Sequence, residues 1–254
     1  MTRALLLMAV ALVACAEPTH VGPAAELDAI LVSGQSNAVA SVLMLEHNKN
    51  VPRLPVGITG PDLMSWNGAE LVEADGDAVG KGKHTGHTIG LWAAHLGRHI
   101  IDATGEPLAV INRGDGGKAI DFFLPSGANY ALMRDHVLAS GVRPRAFVIS
   151  QGESDGSALA ATSADAYYAR LCEWHAAIAI DYPDAIVIIV GTSSDTCGGD
   201  SSQVRSAQSR FAATHAGVTL LDVDDMTGDA DLHTGCHYTY AGYMLWAGRI
   251  ADLL

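Results

Sequence analysis

Five short runs of nearly continuous apolar residues recur along the chain: LDAILV (27–32), PLAVIN (107–112), AFVIS (146–150), AIVIIVG (185–191) and VTLLDV (218–223). Strands that are half exposed alternate apolar and polar positions. Runs without alternation are expected of parallel strands buried on both faces. Between the runs, apolar positions recur at helical spacing near 86–101, 130–140, 163–181, 201–214 and 240–253. Strand–helix alternation at this period predicts a single α/β domain: three layers, a parallel sheet of about five strands, and helices on both faces. The stretch 41–84, rich in Gly, Pro, Asn and Lys, breaks the pattern and reads as an irregular insertion or active-site loop. No internal repeat or second domain is visible.

The polar residues gather where the runs end. The first run leads into Gly34-Gln35-Ser36-Asn37, the second into Asn112-Arg113-Gly114-Asp115-Gly116-Gly117, and the third into Gln151-Gly152-Glu153-Ser154-Asp155. After the fifth comes an Asp-rich loop ending in DLHTGCHYTYAGY, with His233 and His237 just before the last helix. In a parallel sheet these loops all emerge at the carboxyl edge of the strands, where open α/β folds bind ligands. That edge then collects a serine, glycine amides, a glutamine, a glutamate and a histidine. These are the parts of an acyl-transfer site: nucleophile, base, orienting acid and oxyanion donors. Taken alone, Ser36 fits a helix N-cap as well as a nucleophile.

The 254 residues suit one domain with a full core, and 15 basic against 28 acidic side chains give a formal charge of −13. Nucleic-acid binding needs a basic stripe to neutralise phosphates, and no Lys/Arg cluster occurs. The opening MTRALLLMAVALVAC is set apart from the fold. Arg3 forms a positive n-region, and Ala4–Val13 an apolar segment too short to span a bilayer as a mature helix. Leu12-Val13-Ala14-Cys15 is similar to a bacterial lipobox, in which the cysteine becomes a lipidated first residue; an ordinary signal peptide cut near Ala14 or Ala16 is the alternative. Both imply export. Residues 1–15 are thus expected to be a leader, 16–26 a tether and 27–254 the domain. Export permits disulfides. Beyond Cys15 three cysteines remain, an odd number. Cys172 shares an apolar helical stripe with Tyr168, Leu171 and His175 and is expected to be a buried thiol. Cys197 and Cys236 sit in polar, Gly-rich loops and are the candidates for a pair. No Cys-x-x-Cys spacing points to a metal.

The four ordered blocks resemble the SGNH-type hydrolases, in particular the sialate-O-acetylesterase-like carbohydrate esterases with their GQSN and QGES signatures. The resemblance runs through residues 27–254, including VRSAQ (204–208) and CHYTYAGY (236–243). It implies a flavodoxin-like fold and a carboxylic ester hydrolase that needs no cofactor. It assigns Ser36 as nucleophile, His237 as base rather than His233, and the Ser36 and Gly117 amides as oxyanion donors, with Gly116 the alternative glycine. It further assigns the Gln151 side chain as a donor in place of the usual asparagine, with Ser154 the competitor if the usual third-block register holds.

The family's acid normally lies three residues before the histidine, where this chain has Thr234. Threonine cannot supply the negative charge that orients and stabilises an imidazolium. The resemblance to the acetylxylan-esterase group points to Glu153 of the QGES block. Asp231, Asp229 and a bare Ser–His dyad are the alternatives. The expectation is an exported serine esterase acting on O-acetyl esters of carbohydrates, touching the membrane only through lipid on Cys15. A short-chain lipid or aryl ester hydrolase, and a carbohydrate-binding lipoprotein without catalysis, are the competing readings.

Overall fold

The computed structural model describes residues 26–40, 58–74, 89–157, 161–194, 199–226 and 236–254. Its sheet contains β1 (Asp28–Gly34), β2 (Leu63–Trp66), β3 (Leu71–Glu73), β4 (Leu108–Asn112), β5 (Arg143–Ser150), β6 (Ile186–Val190) and β7 (Val218–Leu221). The strand order is β3-β2-β4-β1-β5-β6-β7. Every neighbouring pair is parallel except β2–β3. The helices are α1 (Ser36–Val39), α2 (Leu91–Thr104), α3 (Ala128–Ser140), α4 (Ala164–Asp181), α5 (Ser202–Thr214) and α6 (Tyr240–Ala251).

The apolar runs are buried on both faces because successive side chains point to opposite sides of the pleat. Ile30, Val32, Val110, Val148 and Ile188 pack in one cluster with Trp92 of α2 and Trp246 of α6. Leu31, Ile111, Phe147, Ile149 and Ile189 pack in the other, with Met133 of α3, Trp174 of α4 and Phe211 of α5. Three layers follow directly: α2 and α6 on one face, α3, α4 and α5 on the other.

The sheet has seven strands rather than about five. The two additional strands, β2 and β3, lie inside the stretch read as irregular. They are only four and three residues long, below the length at which an apolar run stands out. Asn67 makes their turn, its Oδ1 accepting from the N–H groups of Ala69 and Glu70, each at 2.9 Å.

The central strand β1 lies between β4 and β5. It ends in Gly34, whose φ of +131° is left-handed and whose backbone lies hard against β5. A Cβ there would sit 1.9 Å from the Ser150 carbonyl oxygen. The close approach lets the Gln35 N–H donate to that same oxygen at 2.9 Å, which turns the chain into α1. Both the backbone angle and the contact forbid a side chain. Gly34→Ala is therefore expected to destabilise the domain by roughly 3 kcal/mol or more, read from the urea unfolding midpoint at unchanged m-value.

Candidate active site

Ser36 stands at the turn between β1 and α1. Of residues 29–40 it is the one not buried. No side chain caps α1, so Ser36 is not an N-cap hydroxyl, and its backbone N–H is left without an intrahelical partner. Its Oγ lies 3.0 Å from Nε2 of His237, a separation at which imidazole can take the hydroxyl proton. The two residues are 201 positions apart in the chain. His237 is held in the short segment before α6, whose N-cap Thr239 accepts from the Gly242 N–H at 3.2 Å. Just before it, Cys236 is disulfide-bonded. Cys172 is free and half-buried, with its Sγ 3.8 Å from Nε2 of His215.

The turn carrying Ser36 is braced from behind. Asn112, at the end of β4, donates through Nδ2 to the carbonyls of Ala38 (2.8 Å) and Ile89 (2.7 Å), and its Oδ1 accepts from the Gly114 N–H. The Trp92 indole donates to the Asn37 carbonyl at 2.9 Å.

Glu153 is not on the histidine. Its Oε1 accepts from Asn37 Nδ2 at 2.5 Å, its Oε2 is buried with no hydrogen-bond partner among the described residues, and no hydrogen bond joins it to His237. Burial pushes its carboxyl above the usual range, opposed in part by the Asn37 hydrogen bond. A carboxylate that must stabilise an imidazolium needs the opposite tendency. Thr234, Asp229, Asp231 and His233, like Cys15 and Cys197, lie outside the described residues.

The Gln151 side chain does not face a substrate either. It is 1% exposed, and its Nε2 donates to Asp155 Oδ2 (2.6 Å) and the Lys118 carbonyl (3.3 Å). Its Oε1 accepts from the Tyr167 hydroxyl at 2.5 Å. Both amide hydrogens are therefore taken by protein groups, which is inconsistent with the oxyanion role. What Gln151 does is anchor the glycine turn.

Asp155 completes that anchor. Its Oδ2 also accepts from the Ile120 N–H (2.8 Å), and its Oδ1 from Thr162 Oγ1 (3.1 Å). Burial pushes its carboxyl pKa up, while the bonds from Gln151, Ile120 and Thr162 oppose the shift. Lys118 and Ile120 flank Ala119 immediately after Gly117, so the buried Gln151–Asp155 pair fixes the turn that carries the Gly117 amide. The same loop is stitched to β1 by the Asp115 N–H, which donates to the Gly34 carbonyl at 2.8 Å. Gly117 itself is exposed, with φ +72° and open space where a Cβ would point.

Asn37 and Asp155 had no assigned role in the sequence, although both lie inside the GQSN and QGESD blocks. Tyr243, on α6, closes the CHYTYAGY block but had no assigned role, and Tyr167, on α4, had no local signal.

A mostly parallel sheet with a serine after its first strand, a glycine turn after β4 and a histidine before the last helix is the arrangement that the resemblance to SGNH-type hydrolases implied. The family model described as "Carbohydrate esterase, sialic acid-specific acetylesterase" matches residues 26–253. The chain belongs to that family and is a carboxylic ester hydrolase. No curated protein matches it. Among solved structures it is similar to a protein from Arabidopsis thaliana (TM-score 0.68, 18% identity, covering 90% of this chain and 97% of that one). It is also similar to NanS (TM-score 0.64, 12% identity, 90% and 96% covered). The carbohydrate acetylesterase XAC1771 from Xanthomonas citri aligns at TM-score 0.57 and 19% identity. There the alignment covers 88% of this chain and 54% of that one. At these identities the likeness is one of fold.

If Asp155 anchors the glycine turn, removing its carboxyl leaves the Gln151 amide and the Ile120 N–H without their acceptor. Asp155→Ala is expected to cost about 1–3 kcal/mol of stability, measured by chemical unfolding. An unchanged midpoint would remove the anchor from the description of the site.

Proposed function

We propose that the chain removes O-acetyl groups from a carbohydrate through an acyl-enzyme on Ser36. The observation that carries this reading is the 3.0 Å contact between Ser36 Oγ and His237 Nε2 at the carboxyl edge of the sheet. Ser36 Oγ attacks the acetyl carbonyl carbon while its proton passes to His237 Nε2. The carbonyl oxygen becomes an oxyanion, stabilised by the backbone N–H groups of Ser36 and Gly117. Collapse breaks the bond to the sugar oxygen, which leaves with the proton from His237. Water then repeats the sequence on the acetyl-serine, releasing acetate and restoring Ser36. Fixed donors aimed at charge that develops only in the transition state are among the largest contributions to such reactions.

The orienting carboxylate in this reading is Asp231. The Glu153 carboxyl is engaged by Asn37, which leaves Asp231, with Asp229 as the alternative, of the acids that the resemblance brings into question. The net charge of −13 favours a neutral glycan ester over a polyanion. The leader reading is carried forward as part of the proposal: export, with Cys15 as the lipidated residue. Cys15→Ser should then shift the protein from the membrane fraction to soluble or unprocessed forms. Mass spectrometry of the mature terminus reads the lipid directly, and an unmodified terminus removes the anchor.

Ser36→Ala and His237→Ala are each expected to lower kcat on p-nitrophenyl acetate by about 10³-fold or more, with little further loss in the double variant, because the pair acts as a unit. A fluorophosphonate should label Ser36 in the wild type. Wild-type turnover in Ser36→Ala would end this reading. Acetate release from acetylated xylan, acetylated sialic acid and other acetyl-glycans identifies the sugar.

A further inference from the structure

Asn37 is 1% exposed and every polar atom of its side chain is engaged. Nδ2 donates to Glu153 Oε1 at 2.5 Å and to the Cys236 carbonyl at 3.2 Å, and Oδ1 accepts from the Tyr243 hydroxyl at 2.8 Å. The amide orientation follows from chemistry: a peptide carbonyl only accepts, so the nitrogen must face Cys236. These partners come from separate parts of the chain. Glu153 follows β5, Cys236 precedes the histidine, and Tyr243 is on α6. One side chain, adjacent in sequence to Ser36, therefore grips the peptide adjacent in sequence to His237.

We infer that Asn37 is a positioning residue that sets the Ser36–His237 separation by holding the Cys236 carbonyl, with Glu153 and Tyr243 fixing the Asn37 amide from the other side. The inference rests on the proposed Ser36–His237 mechanism and gives Glu153 a different task from orienting the imidazole. The task of Glu153 is acceptance of one hydrogen bond. Its second oxygen is buried without a partner among the described residues, and burial pushes the carboxyl towards its neutral form. A neutral amide of the same shape can accept the same bond, so the contact to Asn37 requires an acceptor at Glu153 and not its charge. Tyr243, fully buried beside Tyr238 and Trp246, supplies a donor rigid enough to lock the amide.

The test compares five variants of the full chain for kcat, KM and thermal unfolding midpoint on p-nitrophenyl acetate: Asn37→Ala, Tyr243→Phe, Glu153→Gln, Glu153→Ala and Ser36→Ala. A misplacement of the reacting pair by about 1 Å is worth up to about 100-fold in rate. Asn37→Ala and Glu153→Ala should lower kcat by about 10- to 100-fold with KM within about threefold of wild type. Tyr243→Phe removes one hydroxyl and leaves the packing intact. It should lower kcat by about 3- to 10-fold, which keeps the inference testable if Asn37→Ala fails to fold.

Glu153→Gln retains the acceptor and should stay within about fivefold of wild type, rescuing most of what Glu153→Ala loses; a carboxylate acting on the imidazole would instead lose about 10⁴-fold on the same change. A loss of that size would overturn the inference, and so would Asn37→Ala and Tyr243→Phe turning over at the wild-type rate while Ser36→Ala is inactive. Losses confined to KM would overturn it as well. Wild-type activity in Ser36→Ala would overturn the underlying mechanism, a result distinct from the others.

Discussion

The approach of Gly34 to Ser150 governs where everything else in this domain can stand. β1 is the middle strand of the sheet and β5 its neighbour, and here their backbones come too close to admit even a methyl group. Because the Gln35 N–H closes onto the Ser150 carbonyl, the chain leaves the sheet at once and presents Ser36 at its edge. The same pinch brings Gln35 to the loop after β5, where its Oε1 accepts from the Ser154 N–H at 3.1 Å. A side chain presented at a strand end needs a sharp exit. Glycine supplies the backbone angle, and the neighbouring strand supplies the stop.

Behind that edge the protein has placed polar groups where apolar ones would pack more cheaply. Two buried knots result, one around Asn37 and Glu153, the other around Gln151, Asp155 and Tyr167. The Gln208 amide extends the second, donating to the Gln151 carbonyl and to Thr192 Oγ1, both at 3.0 Å. Networks of this kind are costly when any member lacks a partner and rigid when all are satisfied. Each knot sits beneath one loop of the site, the first under the serine and histidine, the second under the glycine turn. Ser36 and His237 stand on short turns whose neighbours Asn37 and Tyr238 are buried, so their placement is tied to these layers.

The layered sheet and its helices were legible in the sequence because buried parallel strands write themselves as unbroken apolar runs. Helix α4, expected over 163–181, is found at Ala164–Asp181, with Ser163 as its N-cap. β2 and β3 were not legible: seven residues in two pieces carry no period. The block residues of the site were legible as chemistry but not as geometry. Gln151 reads as a donor near a carbonyl, and nothing in QGES says that its amide turns inward to Asp155. Glu153 likewise reads as an acid for a histidine that lacks one. Its actual partner, Asn37, is in the first block, 116 positions away, and sequence spacing carries no information about which buried acceptor an amide will choose.

The position of β1 between β4 and β5 also sets the order in which this chain can become itself. β1 is made early but has no neighbour until residues 108–112 and 143–150 exist. Its pairings are thus all long-range, a topology that folds slowly because loops must close before contacts reward them. The partner of Ser36 arrives later still, in the segment just before the final helix. A nascent or truncated chain lacking that segment has a serine without its histidine. Assembly of the sheet and the meeting of Ser36 with His237 are thereby separate events, and the second waits for the segment that carries the histidine.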